Sequence, residues 1–381
     1  MEFGISEEQQ IMIDSLRKFL QAEIKPIAER YKDQLIPKAE MKNILKQLLD
    51  FGLGNGPIPE AYGGFDLDAV TIGLLQHELA RISPDIAITV LIQMTAGKLM
   101  SIAPEALKEK YLKPLAAGEK IGCVAMSEPG AGSEVTAVNC RARQDGDSYV
   151  LNGEKMWISS GDYSDFTICL TRVNPDPVGG LTLFLVDREH GYESTNIHKT
   201  ALNSQSTAQL FFDDVRVPAE NMLVQPGEAL KTLLTLLASS RPLVALMALG
   251  IGQAALDEAI NYSLERTQYS KPIAGHQLIQ AKIAEMATKL EAGKLLAFRA
   301  LDNIDNKVRS DVSSAMSKWF GTELACEIVN DAVQIHGGNG ITREFAVEYM
   351  QRAVRVFPFT EGTTEIQKLL IGRALLGVPA F

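Results

Sequence analysis

The 381-residue sequence predicts an α+β chain in three consecutive parts: helices, then β-strands, then helices again. Three observations carry this. Apolar residues recur at helical spacing from Ile11 to about residue 117, and short β-rich runs broken by turn signals follow from Ile121 to about residue 228. After Pro226-Gly227 the helical period returns in long runs to the end. The parts are placed at residues 1–119, 120–228 and 229–381.

The first helix opens at Ser6, followed three residues later by Gln9 in a capping-box pattern, and carries Ile11, Ile13, Leu16, Phe19, Leu20, Ile24 and Ile27 at helical spacing. Further helical stretches are expected near 38–52, 67–82, 86–103 and 104–117, broken by Gly54-Asn55-Gly56-Pro57 and Tyr62-Gly63-Gly64. In the middle part, Ser148 to Ile158 reads as two strands joined by an Asn152-Gly153 turn, and Phe166–Thr171 and Leu181–Val186 add short strands. The last part predicts helices near 228–266, 276–304, 308–335, 343–352 and 364–377. No repeat of solenoid period and no low-complexity segment interrupts this order.

With 46% apolar and 22% charged residues the chain can bury a large core, which excludes general disorder. Its 37 basic against 47 acidic residues give a net charge of −10, which disfavours nucleic acid and anionic membranes as partners. Cys123, Cys140, Cys169 and Cys326 are far apart and form no CxxC, so neither a zinc site nor a disulfide framework is legible, and they read as buried thiols. The five histidines lack metal spacing. The start, Met1 to Glu8, is acidic where a targeting peptide would be basic, and no uninterrupted apolar run is expected to span a membrane; the expected setting is cytoplasmic.

Gly250-Ile251-Gly252-Gln253-Ala254-Ala255 fits GxGxxA, yet a dinucleotide fingerprint needs a strand before it, and Leu233–Leu249 reads as helix. Close helix packing through small residues is the better reading. Five other segments matter more. Ser127-Glu128-Pro129-Gly130-Ala131-Gly132-Ser133-Glu134 follows a predicted strand and offers backbone N–H groups and hydroxyls to a polar or phosphorylated ligand, or is a plain surface turn. Trp157 is either a sandwich-core aromatic or a flat wall for a ring system. Arg266 ends one predicted helix and Gln277 begins the next; the pair could hold a diphosphate, although arginine is also favourable at a helix C-terminus. His336-Gly337-Gly338-Asn339-Gly340 is an inter-helix turn, open to a close backbone approach or a simple helix cap. In Phe357 to Gln367, Thr364 and Gln367 suggest a capping box, which puts Glu361 in the loop just before a helix. Burial against Phe357 and Phe359 would raise its pKa toward the range of a general base, and the helix N-terminus would lower it.

These segments, in this order and across essentially the full length, resemble the acyl-CoA dehydrogenase family. The match rests on Ser127–Glu134, Arg266–Pro272, Gln334–Gly340 and Glu361–Gln367. The resemblance implies an N-terminal helical domain, a central β-barrel or sandwich and a C-terminal four-helix bundle. It also implies a homotetramer with FAD, acting on an acyl-CoA and passing electrons to an electron-transfer flavoprotein. Residue by residue, it makes Glu361 the catalytic base that takes the α-proton while a hydride leaves the β-carbon, and gives the backbone N–H there a share in holding the thioester carbonyl. Ser127, Ser133, Trp157 and Ser159 match flavin positions, and Arg266, Tyr269, Gln277, Gln334 and Gly338 match positions on the ADP half, partly across a subunit interface. Thr363 is placed with the cofactor; Ser133, Arg241, Met94, Thr360 and Gly362 are placed with the substrate.

The sequence also departs from the family. Ala238 stands where an aspartate is frequent, Thr200-Ala201-Leu202-Asn203 replaces a Met-Gly-x-Arg run, Ser270 replaces a glycine, and Thr360 replaces a tyrosine. Glutaryl-specific members have an arginine at the position of Ala87, so a short ω-carboxylate substrate is not expected. Ile86, Ile88, Leu91, Ile92 and Met94 with Thr360, Phe357 and Phe359 suggest an apolar, widened pocket for a branched, alicyclic or aromatic acyl group. Two alternatives are kept: an enoyl-CoA reductase running the same site in reverse, and a flavin-binding scaffold without activity.

Overall fold

The computed structural model describes residues 5–378, so Met1–Gly4 of the acidic start lie outside the described residues. Helix α1 (Glu7–Phe19) begins at the expected capping box: the Ser6 hydroxyl accepts from Gln9 N–H at 3.1 Å, and Gln9 Oε1 accepts from Ser6 N–H at 3.0 Å. The long first helix is not continuous. A π turn at Leu20–Ile24 separates α1 from α2 (Lys25–Arg30), and a second at Lys108–Leu112 separates α6 (Glu105–Leu107) from α7 (Lys113–Ala116). Each precedes a proline, Pro26 or Pro114, whose missing N–H and crowding ring disfavour the regular i→i−4 ladder. Between them run α3 (Lys38–Leu49), α4 (Ala69–Ile82) and α5 (Pro84–Met100). Asp68 caps α4 through Thr71 N–H at 2.6 Å, and Ser83 caps α5 through Ile86 N–H at 3.3 Å.

The strands are β1 (Gly122–Ala125), β2 (Arg141–Asp145), β3 (Ser148–Ser159), β4 (Phe166–Arg172), β5 (Leu181–Asp187), β6 (Glu193–Asn196), β7 (Thr207–Pro218) and β8 (Met222–Val224). They form one sheet in the order β6-β7-β3-β2-β4-β5-β8, with β1 joining β4 in parallel. The hydrogen-bonded path does not close into a barrel, and two apolar clusters line the sheet. β4 and β5 are buried throughout: Phe166, Ile168 and Leu170 pack toward Leu112 and Leu115 of the helical part, and Cys169 and Phe184 pack toward β3 and β7. The expected Asn152-Gly153 hairpin is absent. The turn between β2 and β3 falls at Gly146 (φ +67°), and Gly153 (φ +140°) sits in a register irregularity of a single continuous β3. β7 pairs with β3 from Ser148 to Ser159, and this long-range ladder overrides the local turn signal.

The last part holds α8 (Ala229–Glu265), a two-stranded hairpin β9 (Thr267–Gln268) and β10 (Lys271–Pro272), α9 (Gln277–Asp305), α10 (Asp311–His336), α11 (Ala346–Val354) and α12 (Thr364–Leu376). Helix α8 runs through the main apolar core, which joins the first and last parts through residues such as Leu75, Val90, Leu246, Leu249 and Ile328. By length and composition α8 would be able to cross a membrane, although Arg241 and Gln253 interrupt its apolar run; 72% of its most apolar window is buried, as befits a core helix. Gly250 belongs to that packing: a Cβ there would lie 2.6 Å from the His77 carbonyl of α4, so α8 and α4 touch backbone to side-chain-free backbone. No group of residues able to hold a metal occurs among the described residues, and all four cysteines are free, three of them buried.

Candidate active site

The loop between α11 and α12 is shaped by its own residues. Glu361 adopts φ +54° and Gly362 φ +93°; a Cβ on Gly362 would lie 2.7 Å from Gln367 Nε2. The helix cap is Thr363, one residue earlier than the Thr364–Gln367 capping box expected: the Thr363 hydroxyl accepts from Ile366 N–H at 3.3 Å, because Thr363 is extended and the helix starts after it. Thr364 instead donates to Glu323 Oε1 at 2.6 Å. Gln367 Nε2 donates to the carbonyls of Glu361 (3.3 Å) and Gly362 (3.0 Å), and the buried Lys318 ammonium donates to those of Pro358 (2.6 Å) and Gly362 (2.7 Å).

The Glu361 side chain turns onto α8. Ser240 Oγ donates to its Oε2 at 2.7 Å, and Arg241 Nε donates to its carbonyl oxygen at 3.3 Å. Burial raises the Glu361 pKa above the ordinary carboxylate range, against the Ser240 hydrogen bond and the positive charges of Arg241 and Lys318. Burial likewise lowers Arg241, and brings Lys318 down to about 8. The Glu361 N–H donates to no group among the described residues. Of the aromatic residues before it in the loop, Phe357 is buried in the core and Phe359 is half-exposed under the Arg355 guanidinium.

Ser240 also lines a small cleft between α4, α5 and α8 that is open to solvent. Met94, Leu91 and Leu243 form apolar walls as expected. Thr360, whose hydroxyl donates to the Phe357 carbonyl at 3.3 Å, is not on this cleft, which is shaped by α4, α5, α8 and the turn at Pro57. Nor is the cleft wholly apolar, since Lys98 of α5 is part of its wall.

The predicted flavin residues fall into two groups. On the sheet, Trp157 sits at a bulge of β3 opposite β7, with φ +64°, and its indole is 58% exposed. The bulge turns it outward and removes the core reading. Ser159 is half-buried on the same strand, and Ser127 is tied to it through Met156 N–H to Ser127 O at 2.9 Å. Ser133 is exposed, and a Cβ placed on Gly130 or Gly132 would meet nothing within 4 Å. The loop is anchored by Glu128, buried, whose oxygens accept from Lys155 Nζ (2.8 Å), Cys140 N–H (2.9 Å) and Asn139 N–H (2.6 Å).

The second group collects at the ends of the long helices. Arg266 closes α8, Tyr269 and Ser270 make the turn of the β9–β10 hairpin, and Gln277 opens α9. Arg266 is exposed and forms no ion pair among the described residues. Tyr262, one turn before it, stacks on His336 at 4.2 Å and accepts from Asn339 Nδ2 at 3.0 Å, which brings the exposed Gln334 and Gly338 to the same corner. Sequence reasoning missed Ser240, Lys318, Lys155 and Lys98. For Lys318 a signal existed, since Ala315, Lys318 and Thr322 share one helical face with small residues.

Three family profiles span the chain: the acyl-CoA dehydrogenase N-terminal domain at residues 6–119, the middle domain at 123–215 and the C-terminal domain at 230–376. The chain belongs to the acyl-CoA dehydrogenase family. It is similar to the 3-(aryl)acrylate reductase of Clostridium sporogenes (strain ATCC 15579), with 35% identity over 97% of this chain and 99% of that protein. It is also similar to the caffeyl-CoA reductase-Etf complex subunit CarC of Acetobacterium woodii, with 36% identity over 88% and 90%. A glutaryl-CoA dehydrogenase from Mycobacterium smegmatis in complex with FADH2 superposes with TM-score 0.92 at 29% identity, covering 99% of this chain and 96% of that one. Acyl-CoA dehydrogenases are FAD-dependent oxidoreductases, and the residues present fit that cofactor. An indole turned outward by a bulge, a glycine loop with open space above it and an arginine free of carboxylates are what a flavin ring and a diphosphate need.

Proposed function

We propose that this acyl-CoA dehydrogenase desaturates the α,β bond of an acyl-CoA thioester, with Glu361 as the base. The observation that carries the reading is the Glu361 carboxylate held by Ser240 at 2.7 Å, where Ser240 forms part of the wall of the cleft. A thioester acidifies its α-carbon, and a carboxylate with a raised pKa in a dry site is suited to take that proton. When bound, FAD supplies the acceptor for the β-hydride. Arg241 and Gln367 hold the Glu361 carbonyl, Lys318 holds the Gly362 carbonyl, and the Glu361 N–H is left to the thioester oxygen.

Ser127, Ser133, Trp157, Ser159 and Thr363 are assigned to the flavin, and Arg266, Tyr269, Gln277, Gln334 and Gly338 to its ADP half. Because exposed Leu264, Tyr269, Leu278 and Ile341 surround Arg266, a homotetramer in which a second copy covers this corner is part of the proposal, as is electron transfer to an electron-transfer flavoprotein. The acyl body is proposed to be branched, alicyclic or aromatic, matching a cleft walled by Leu91, Met94 and Leu243. Relatives named as reductases support a second reading, in which protonated Glu361 returns a proton to the α-carbon of an enoyl-CoA.

The test is anaerobic titration of the FAD-loaded protein with butyryl-, octanoyl-, isobutyryl-, cyclohexanecarboxyl- and 3-phenylpropionyl-CoA. Bleaching of the flavin by at least one is expected; an unbleached flavin with all of them, together with failure of enoyl-CoAs to reoxidise the reduced protein, overturns the reading.

A further inference from the structure

Lys98 lies one turn beyond Met94 on α5, so the two side chains share the face that lines the cleft. Its Nζ donates to Ser239 Oγ at 3.3 Å, and it forms no ion pair among the described residues. An ammonium carries three N–H donors, so two remain without an assigned acceptor. Of the hydroxyls nearby, only Ser239 accepts from Lys98; Thr95 donates to the Leu91 carbonyl at 2.7 Å, Ser239 to that of Leu236 at 2.8 Å, and Ser240 to Glu361, and neither Thr95 nor Ser240 is hydrogen-bonded to the ammonium. The remaining walls, among them Leu91, Leu243 and Ile72, are hydrocarbon. A cation kept in such surroundings is costly without a partner, and burial lowers the Lys98 pKa accordingly.

Lys98 and Glu361 engage neighbouring hydroxyls of α8, Ser239 and Ser240, and neither is among the charges acting on the other. The cations acting on Glu361 are Arg241 and Lys318, whereas the acid acting on Lys98 is Asp305, at the end of α9. The Asp305 carboxylate is itself engaged with the N–H groups of Ala69 (2.6 Å) and Val70 (3.0 Å) at the start of α4. It therefore tempers the Lys98 charge from a distance without satisfying its donors.

We infer that Lys98 forms a subsite for an oxygen acceptor carried by the acyl group at its end remote from the thioester, as a carboxylate or an aryl hydroxyl. This rests on the acyl-CoA reading given above. It amends the expectation of an apolar tail: the body of the acyl group packs on Met94 and Leu91, and its far end meets a cation.

The FAD-loaded protein is assayed with two matched pairs, glutaryl- against valeryl-CoA and 3-(4-hydroxyphenyl)propionyl- against 3-phenylpropionyl-CoA. Both kcat/KM and the Kd from perturbation of the flavin spectrum are measured. The oxygenated member of at least one pair is expected to lead by tenfold or more in wild type, and which pair shows the lead tells carboxylate from hydroxyl. Lys98→Met should reduce that ratio at least tenfold, with Lys98→Gln as the neutral variant if the methionine does not fold, while Lys98→Arg retains it. Equal use of both members of both pairs, or a lead that survives Lys98→Met, overturns the inference and leaves the acyl-CoA reading standing. If no acyl-CoA or enoyl-CoA perturbs or turns over the flavin, the acyl-CoA reading itself has failed.

Discussion

Lys318 Nζ donates to the Gly362 carbonyl at 2.7 Å, so one buried ammonium on α10 grips the backbone of the residue that follows Glu361. The same nitrogen holds Pro358, at the other end of the loop, at 2.6 Å. Two positive-φ residues in succession, Glu361 and Gly362, are thereby kept in a conformation that an unsupported loop would leave. Replacing Lys318 by Met removes both bonds at a cost of roughly 1–3 kcal/mol. Urea unfolding should show that loss, and kcat should fall at least tenfold while flavin content stays near that of wild type. Unchanged kcat would remove Lys318 from the positioning of the base.

The pH profile reports on Glu361. Burial raises its pKa, so in the dehydrogenase direction kcat/KM should rise with pH as the carboxyl loses its proton, and in the reductase direction it should fall through the same range. Glu361→Gln should abolish that limb and cut turnover by orders of magnitude. Ser240 stabilises the ionised form, hence Ser240→Ala should move the limb upward by about one pH unit, or ~1.4 kcal/mol. A limb that stays in place in the alanine variant contradicts the role given to the 2.7 Å bond.

Lys155 is fully buried against Glu128, which ties down the loop from Ser127 to Ser133. Lys155→Met leaves a buried carboxylate uncompensated and should destabilise by about 3–5 kcal/mol. Flavin retention after gel filtration should drop with it, and the Lys155→Met/Glu128→Gln double variant should regain part of the stability. If the double variant is no better than the single, the pair is not the anchor.

Ser270 sits at φ +64° beside Tyr269 at φ +51°, in the turn joining β9 and β10. Both turn residues have positive φ, as primed hairpin turns require, and glycine adopts this region without a steric penalty. Ser270→Gly should stabilise by about 0.5–1 kcal/mol, read as a higher urea midpoint at unchanged slope. A lower midpoint would show that the serine is not strained.

Arg266→Ala should lose FAD and weaken assembly together, since the exposed guanidinium stands among exposed apolar residues at one corner. Sedimentation with flavin content measured on each species checks it; a wild-type monomer retaining full FAD would contradict both the tetramer and the shared site.

Much of this protein is written locally. The Ser6–Gln9 cap, the helical period of α3 to α5 and α8 to α10, and the apolar runs of β4 and β5 depend on residues a few positions apart, and these are where expectation and structure agree. The ordered motifs from Ser127 to Gln367 likewise identify the family, because each is a short segment whose turn chemistry survives without its neighbours. What depends on pairing across long separations was not legible. The Asn152-Gly153 signal yields to the β3–β7 ladder, and Trp157 leaves the core because a bulge set by that ladder reverses its direction. The partners of Glu361 come from residues 240, 241 and 318, and the cleft draws Lys98, Met94 and Ser240 from two helices far apart in the chain. Side-chain period tells which face of a helix is buried, but only the packing of α5 against α8 decides that a lysine on such a face meets a cavity and a serine meets the carboxylate.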